Sequence, residues 1–211
     1  MTAIVTALCT GRIAPLDQSR RSAIVKRPVE GLVAIRTLGL DGDQQADKRH
    51  HGGPDMAVHH YPHDHYPFWR EYLGDHPALE GFAAFGSNIV ATGLLENEVL
   101  LGDRFRLGTA LLEACQPRQP CATIERRFDR KGMVAAILES GRCGWFYRVI
   151  EEGEAQAGAG LDRVQRGDAD WSMARMFDVL WANRDLAVLR SLRGHSSLPE
   201  KLGAKIDQYL G

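Results

Sequence analysis

Two stretches of this chain concentrate groups that do chemistry. Gly39 to Tyr61 reads GLDGDQQADKRHHGGPDMAVHHY and holds Asp41, Asp43, Asp47 and Asp55, Lys48 and Arg49, two His-His pairs and a Gly-Gly-Pro. Gln116 to Cys121 reads QPRQPC, a thiol on a loop stiffened by two prolines, with Arg118 between them. Cys121 is followed by ATIERRF, a segment with helical character, so its sulfur is expected near the unpaired N–H groups of a helix start. Such surroundings favour the thiolate, the form that attacks as a nucleophile or ligates a metal. Arg49, His51, Gly52 and Gly53 combine donor side chains with glycines whose backbone N–H groups approach closely, which suits an anion such as phosphate. Arg118 could add a bidentate fork, and Gln116 belongs to the same crowded loop.

The histidines at 50, 51, 59, 60, 63 and 65 raise a zinc reading, which the absence of HExxH weakens. On a strand His59 and His60 point to opposite faces, so one or two of these histidines are expected to face a pocket and the rest the surface. Asp41, Asp43 and Asp47 resemble a calcium loop only superficially, lacking the later Glu, and Asp41-Gly42 reads better as a turn.

The elements that must position these groups are mostly short strands. Ala3–Thr10 forms a buried first strand with Cys9 as a small core residue; Ser22–Lys26, Gly31–Thr37 and Met56–Tyr61 follow as strands, with residues 39–53 as loop. A helix is expected over Asp64–Leu73, with Pro67 in its first turn. Phe82–Thr92 is loop and strand, and a strand from Glu98 turns at Leu101–Arg104 into a hairpin with Phe105 and Leu107. Leu111–Gln116 is a strand, helices follow Pro120 and over Val134–Glu139, and residues 144–157 make a last hairpin turning at Glu151-Glu152-Gly153. About nine short strands separated by turns favour a β-barrel or sandwich over an alternating α/β sheet. From residue 167 strand-like runs stop. Met173, Met176, Phe177 and Leu180, then Leu186, Leu189 and Leu192, then Leu198, Leu202 and Ile206 recur at helical spacing, the last set preceded by the capping-box pattern Ser197-x-x-Glu200. The organisation expected is a β domain over 1–166 and a three-helix appendage over 167–211.

Composition limits the partners. The 211 residues carry a formal charge of −1, with 44% hydrophobic and 25% charged residues, so no global bias draws the chain to nucleic acid polymers or membranes. The opening MTAIVTALCTGRIAPL lacks a basic n-region and a long apolar run, which places the chain in the cytoplasm as an expectation. Cys9, Cys115, Cys121 and Cys143 lie far apart without CxxC, so no disulfide framework or zinc ribbon is suggested.

With these residues identified, the chain resembles the MOSC domain family, in its YiiM-like branch. The resemblance rests on GLDGDQQADKRHHGGPDMAVHHYP, FGSNIVATGLLENEVLLGDRFRLG, QPRQPC and GWFYRVIEEG, in order across Val25 to Arg166, with a helical tail like the three-helix extension of that branch. It implies a mainly β fold with α elements, a β-barrel-like MOSC domain whose pocket holds a molybdenum–molybdopterin cofactor, with Cys121 as the molybdenum ligand. It further implies that His51, His60, Asn88 and Arg118 line the pocket, a histidine supplying protons. Ser87 in FGSN departs from relatives that carry an acidic residue there. The implied activity is reduction of N-hydroxylated compounds, such as hydroxylaminopurines, to amines. Electrons would come from a separate reductase, since no flavin, haem or iron–sulfur signature is present, and a homodimer is compatible. Two alternatives use the same thiol: a sulfur carrier with a persulfide on Cys121, and a thiol hydrolase pairing Cys121 with His51 or His60.

Overall fold

The computed structural model describes residues 2–211, except the side chains of residues 50 and 51. The first strand, β1 (Thr2–Thr10), alternates exposed and buried positions and then runs fully buried from Ala7 to Cys9. Short pieces follow: β2 (Ala14–Pro15) and β3 (Arg21–Ser22) form a hairpin, β4 (Arg27–Pro28) extends the end of β1, and β5 (Val33–Arg36) turns tightly into β6 (Gly39–Leu40). The expected strand over Ser22–Lys26 is therefore only its first residue, and the 39–53 loop contains β6 and the single turn α1 (Lys48–His51). β7 (Val58–Pro62) is buried throughout, and α2 (Tyr66–Leu73) carries Pro67 in its first turn, where the missing N–H costs nothing.

Next come β8 (Ile89–Ala91), β9 (Arg104–Leu107), β10 (Ala110–Pro117), α3 (Thr123–Arg127), α4 (Met133–Ser140), β11 (Trp145–Glu151), β12 (Gly153–Ala155) and β13 (Gly160–Gln165). Seven strands close a barrel in the order β1, β8, β7, β11, β10, β9, β13 and back to β1. All neighbours are antiparallel except β7 and β8. The hairpin turn lies at Gly108-Thr109, between β9 and β10, while Leu101-Gly102 does form the expected tight turn, closed by Asp103 N–H to Leu100 O at 3.0 Å. There the buried Asp103 carboxylate also ties Leu100 N–H (2.9 Å) and Gly167 N–H (2.7 Å). The hairpin expected over 144–157 does not form either, because β12 leaves β11 and pairs with β5.

The tail continues with α5 (Met173–Phe177), which runs into a π-helical turn Asp178–Ala182, then α6 (Leu186–Arg193) and α7 (Glu200–Leu210). Asp185 caps α6 by accepting from the N–H groups of Ala187 and Val188. The Ser197–Glu200 capping box does not form: Pro199 occupies the cap of α7 and offers no side-chain acceptor. Met173, Met176, Leu180, Leu189, Leu192, Leu202 and Ile206 share one buried cluster with barrel residues such as Val5, Phe105, Leu112 and Tyr147. Short helices gain stability from such packing and not from propensity, so the tail is held by the barrel it covers. A second cluster lies under α2 to α4, where Tyr61 stacks on Phe85 at 4.2 Å beside Trp69 and Phe128. Among the described residues, no helix is long and apolar enough to cross a membrane.

Candidate functional site

Four segments converge on a cavity of about 360 Å³: the β2–β3 hairpin and the chain after it, the 43–47 loop, β7 with the Gly86–Asn88 loop, and the chain between β10 and α3. That volume lies within the range of small-molecule and cofactor sites. Pro117 ends β10 opposite Trp145, and Arg118 makes one further backbone bond, donating its N–H to Gly144 O at 2.9 Å. The chain then leaves the barrel, which puts both the Arg118 side chain and Cys121 on the cavity wall. Cys121 is half-buried and accepts the Ile124 N–H at its carbonyl (3.0 Å), so the thiol precedes the first turn of α3 as the sequence suggests.

Arg118 Nη1 donates to Phe85 O at 2.7 Å. Burial pushes the guanidinium's pKa down, and the largest opposing electrostatic influence comes from Cys121. Among the described residues Arg118 has no carboxylate partner. The cavity therefore has a cationic end, continued at its mouth by the exposed Arg20 and Arg21.

The opposite wall is a buried ion pair knitted into the backbone. Lys26 Nζ donates to Asp43 Oδ2, with side chains only 9% and 2% exposed. The same carboxylate accepts from Gly11 N–H (2.8 Å) and from Asn88 Nδ2 (2.8 Å). Burial lowers the Lys26 pKa while Asp43 works to raise it. Asn88 also donates to Cys9 O (3.1 Å) and accepts the His59 N–H (3.0 Å), so this one amide joins β1, β7 and the 43–47 loop.

His59 supplies the last group. Its Nδ1 lies 3.2 Å from Gly86 O, and because a carbonyl only accepts, Nδ1 holds the proton and Nε2 a lone pair. Burial and the Arg118 charge push its pKa well below the ordinary value, which keeps the ring neutral. Nε2 is itself buried and has no hydrogen-bond partner among the described residues.

Several expected residues lie elsewhere. His60 does not line the cavity: alternation along β7 sends it to the other face, where it is fully buried, stacks on Trp145 at 4.3 Å and meets Tyr147 OH at 3.3 Å. Burial takes its pKa down to about 3. Gln116 is committed to the backbone, donating to Asp55 O at 2.8 Å. Arg49 is exposed on α1, and Gly52 and Gly53 lie outside the cavity, where the Gly52 carbonyl faces Lys201 Nζ of α7 at 3.4 Å. The side chain of His51 lies outside the described residues. Asn88, Arg118 and Cys121 do meet in one cavity, joined by Lys26, Asp43 and His59, which sequence reasoning did not select. No three His, Cys, Asp or Glu among the described residues are grouped to hold a metal ion, which leaves the zinc and calcium readings without a site.

The donor set nevertheless fits a cofactor whose metal needs one soft protein ligand and whose remainder is an anionic heterocycle. It offers one half-buried thiol, a guanidinium without a carboxylate partner and an imidazole lone pair without a hydrogen-bond partner among the described residues. A family model for the MOSC domain matches residues 47–169. The chain belongs to the MOSC domain family. It is 41% identical over 157 residues to the protein YiiM of Escherichia coli (strain K12), covering 74% of this chain and 70% of that one. The crystal structure of YiiM from Geobacillus stearothermophilus superposes with a TM-score of 0.83 at 28% identity, covering 99% of this chain and all of that one. A protein of Gibberella moniliformis named "Reductase" is 35% identical over 162 residues, which cover 76% of this chain and 29% of that longer protein. MOSC domains are associated with the molybdenum cofactor, and the MOSC match begins after Arg20, Arg21, Lys26 and Asp43, so half of the cavity wall is contributed by the preceding segment.

Proposed function

We propose that this MOSC protein binds the molybdenum cofactor and reduces N-hydroxylated compounds, such as hydroxylaminopurines, to amines, with electrons from a separate reductase. The observation that carries the reading is the presence in one cavity of a half-buried Cys121 thiol and of Arg118, which has no carboxylate partner among the described residues. Cys121 would hold the metal, and Arg118 with the mouth arginines would hold the cofactor's phosphate. When bound, the cofactor supplies a two-electron redox centre.

The net reaction, R–NHOH + 2 H⁺ + 2 e⁻ → R–NH₂ + H₂O, needs protons at the departing oxygen. His59, kept neutral by burial, suits acceptance of a hydrogen bond at Nε2 more than proton donation. Lys26 is the charged donor in the wall, its pKa lowered by burial, and Asp43 holds it in place. Asn88 fixes the ion pair relative to His59. The name of the Gibberella relative supports a reductive role, and its greater length is consistent with an electron source lying outside a chain of this size.

The test is metal analysis of protein purified from a host that makes the cofactor. Wild type is expected to carry molybdenum near one per chain, and Cys121→Ser about tenfold less or none, as for loss of a sole soft protein ligand. Molybdenum missing from the wild type, or unchanged in Cys121→Ser, would overturn the ligand assignment. A +32 Da adduct on Cys121 in protein without molybdenum would favour a persulfide carrier instead, since a half-buried thiol beside a guanidinium also stabilises a persulfide anion.

A further inference from the structure

Glu96 lies outside the cavity, in the turn that follows β8, yet it is almost fully buried and its carboxylate grips backbone that adjoins the site. Its Oε1 accepts from Gly144 N–H at 2.8 Å and from Cys143 N–H at 3.1 Å. Both carboxylate oxygens face His65 Nε2, at 3.0 and 2.8 Å, and His65 is itself buried. A buried carboxylate without such partners would be costly, so this arrangement is specified and not incidental.

The backbone that Glu96 grips is the place where the cavity's two working walls touch. Gly144 O accepts the Arg118 N–H at 2.9 Å and so sets where the Arg118 side chain departs. On its other side Gly144 lies against β7 so closely that an added Cβ would sit 2.3 Å from His60 O and 3.1 Å from His59 Nε2, and its φ of +67° is one that glycine adopts readily. The Gly144 backbone is thus a fulcrum between Arg118 and His59, and it is held from behind by one carboxylate.

We propose that Glu96, braced by His65, is a positioning residue: by fixing the Cys143–Gly144 backbone it holds Arg118 beside Cys121 and His59 at the cavity wall. The position of Arg118 decides how much positive potential the Cys121 sulfur experiences. Because this is a statement about geometry, it rests on neither molybdenum nor substrate.

Site-resolved alkylation of Cys121 in the metal-free protein tests it, using iodoacetate and iodoacetamide in parallel. The ratio of the two rates reports positive charge at the sulfur, since only iodoacetate is an anion, and overall loosening of the fold does not move it in a fixed direction. Arg118→Ala sets the low limit of the ratio. Glu96→Asp keeps the charge but shortens the reach by roughly 1.5 Å, one carbon–carbon bond. Glu96→Gln keeps the reach and two acceptor lone pairs on Oε1 while removing the charge. A positioning role predicts a ratio lowered about threefold or more in Glu96→Asp, because Arg118 then shifts away from the sulfur and solvent screens it, with the wild-type ratio retained in Glu96→Gln. A wild-type ratio in a folded Glu96→Asp, or a lowered ratio in Glu96→Gln, overturns the proposal. Should Glu96→Asp not fold, amide exchange decides: Gly144 and Cys143 N–H protection retained in Glu96→Gln supports the proposal, and protection lost there overturns it. Neither result bears on whether molybdenum binds, so the two readings fail separately.

Discussion

Acidification from about pH 6 to pH 4 is expected to cost the protein on the order of 2–3 kcal/mol of folding stability through the buried His60, which does not accept a proton while folded, and the buried His59 adds to the loss in the same direction. His59 and His60 both have pKa values depressed below the ordinary range, His60 to about 3, and burial is the first cause in each case. In the unfolded chain each titrates near pH 6.5. Below that pH the unfolded state binds more protons than the folded one, so stability falls as pH falls, by up to about 1.4 kcal/mol per pH unit per histidine. The loss continues until each folded pKa is reached, near 3 for His60. Small domains are stable by only about 5–15 kcal/mol, so this loss is a sizeable share of the total. Urea titrations at pH 7, 6, 5 and 4 measure the slope. His60→Phe fills the stacking position on Trp145, and whatever it does to absolute stability it should flatten the slope by about one proton's worth. An unchanged slope in that variant would show that His60 protonates without unfolding.

Asp43→Ala is expected to destabilise the fold by about 3–5 kcal/mol, the range for removing one partner of a buried ion pair. Three donors lose their acceptor at once: Lys26 Nζ, Gly11 N–H and Asn88 Nδ2. Lys26 is left charged, or must release its proton, behind a wall where its side chain is only 9% exposed. Asn88 also loses the bond that orients it, so its contact with the His59 N–H should loosen and the cavity wall with it. Chemical denaturation measures the loss. Replacing the pair together, as Lys26→Met with Asp43→Leu, should recover much of it, because the uncompensated charge is then gone. A single Asp43→Ala within about 1 kcal/mol of wild type would mean that Lys26 swings to water.

The two predictions concern residues that the sequence reveals to different degrees. Arg118 stands out because Pro117 and Pro120 bracket it and Cys121 because it follows Pro120, and proline marks where a strand must end and a side chain can leave the sheet. Asn88 was reached through resemblance to a family, and the structure places it in the same cavity. His59 and His60 were separable in principle, since adjacent strand residues face opposite ways, but both positions are buried and no amphipathic pattern indicates which face is the cavity. Asp43 drew notice only as one of several loop aspartates and Lys26 gave no signal, because their partnership spans a loop and is visible only when the chain is folded. The barrel class followed from turn-separated apolar runs. Its closing strand β13 did not: Leu161 is its one fully buried residue, and Asp162, Arg163 and Gln165 disguise it as loop. The hairpins were misplaced because tight turns are common at Gly-Asp and Glu-Gly, whereas strand partners are chosen by distant packing.

That closing strand has a consequence during synthesis. Thr2 of β1 pairs with Asp162 of β13, 160 residues later in the chain. At the usual translation rate of about 5–20 residues per second, β1 emerges on the order of ten to thirty seconds before its second neighbour exists. For that interval one edge of an apolar strand has no hydrogen-bonding partner, the condition under which strands join foreign chains. The same long-range closure makes spontaneous refolding from denaturant slow, and most vulnerable to aggregation at high protein concentration.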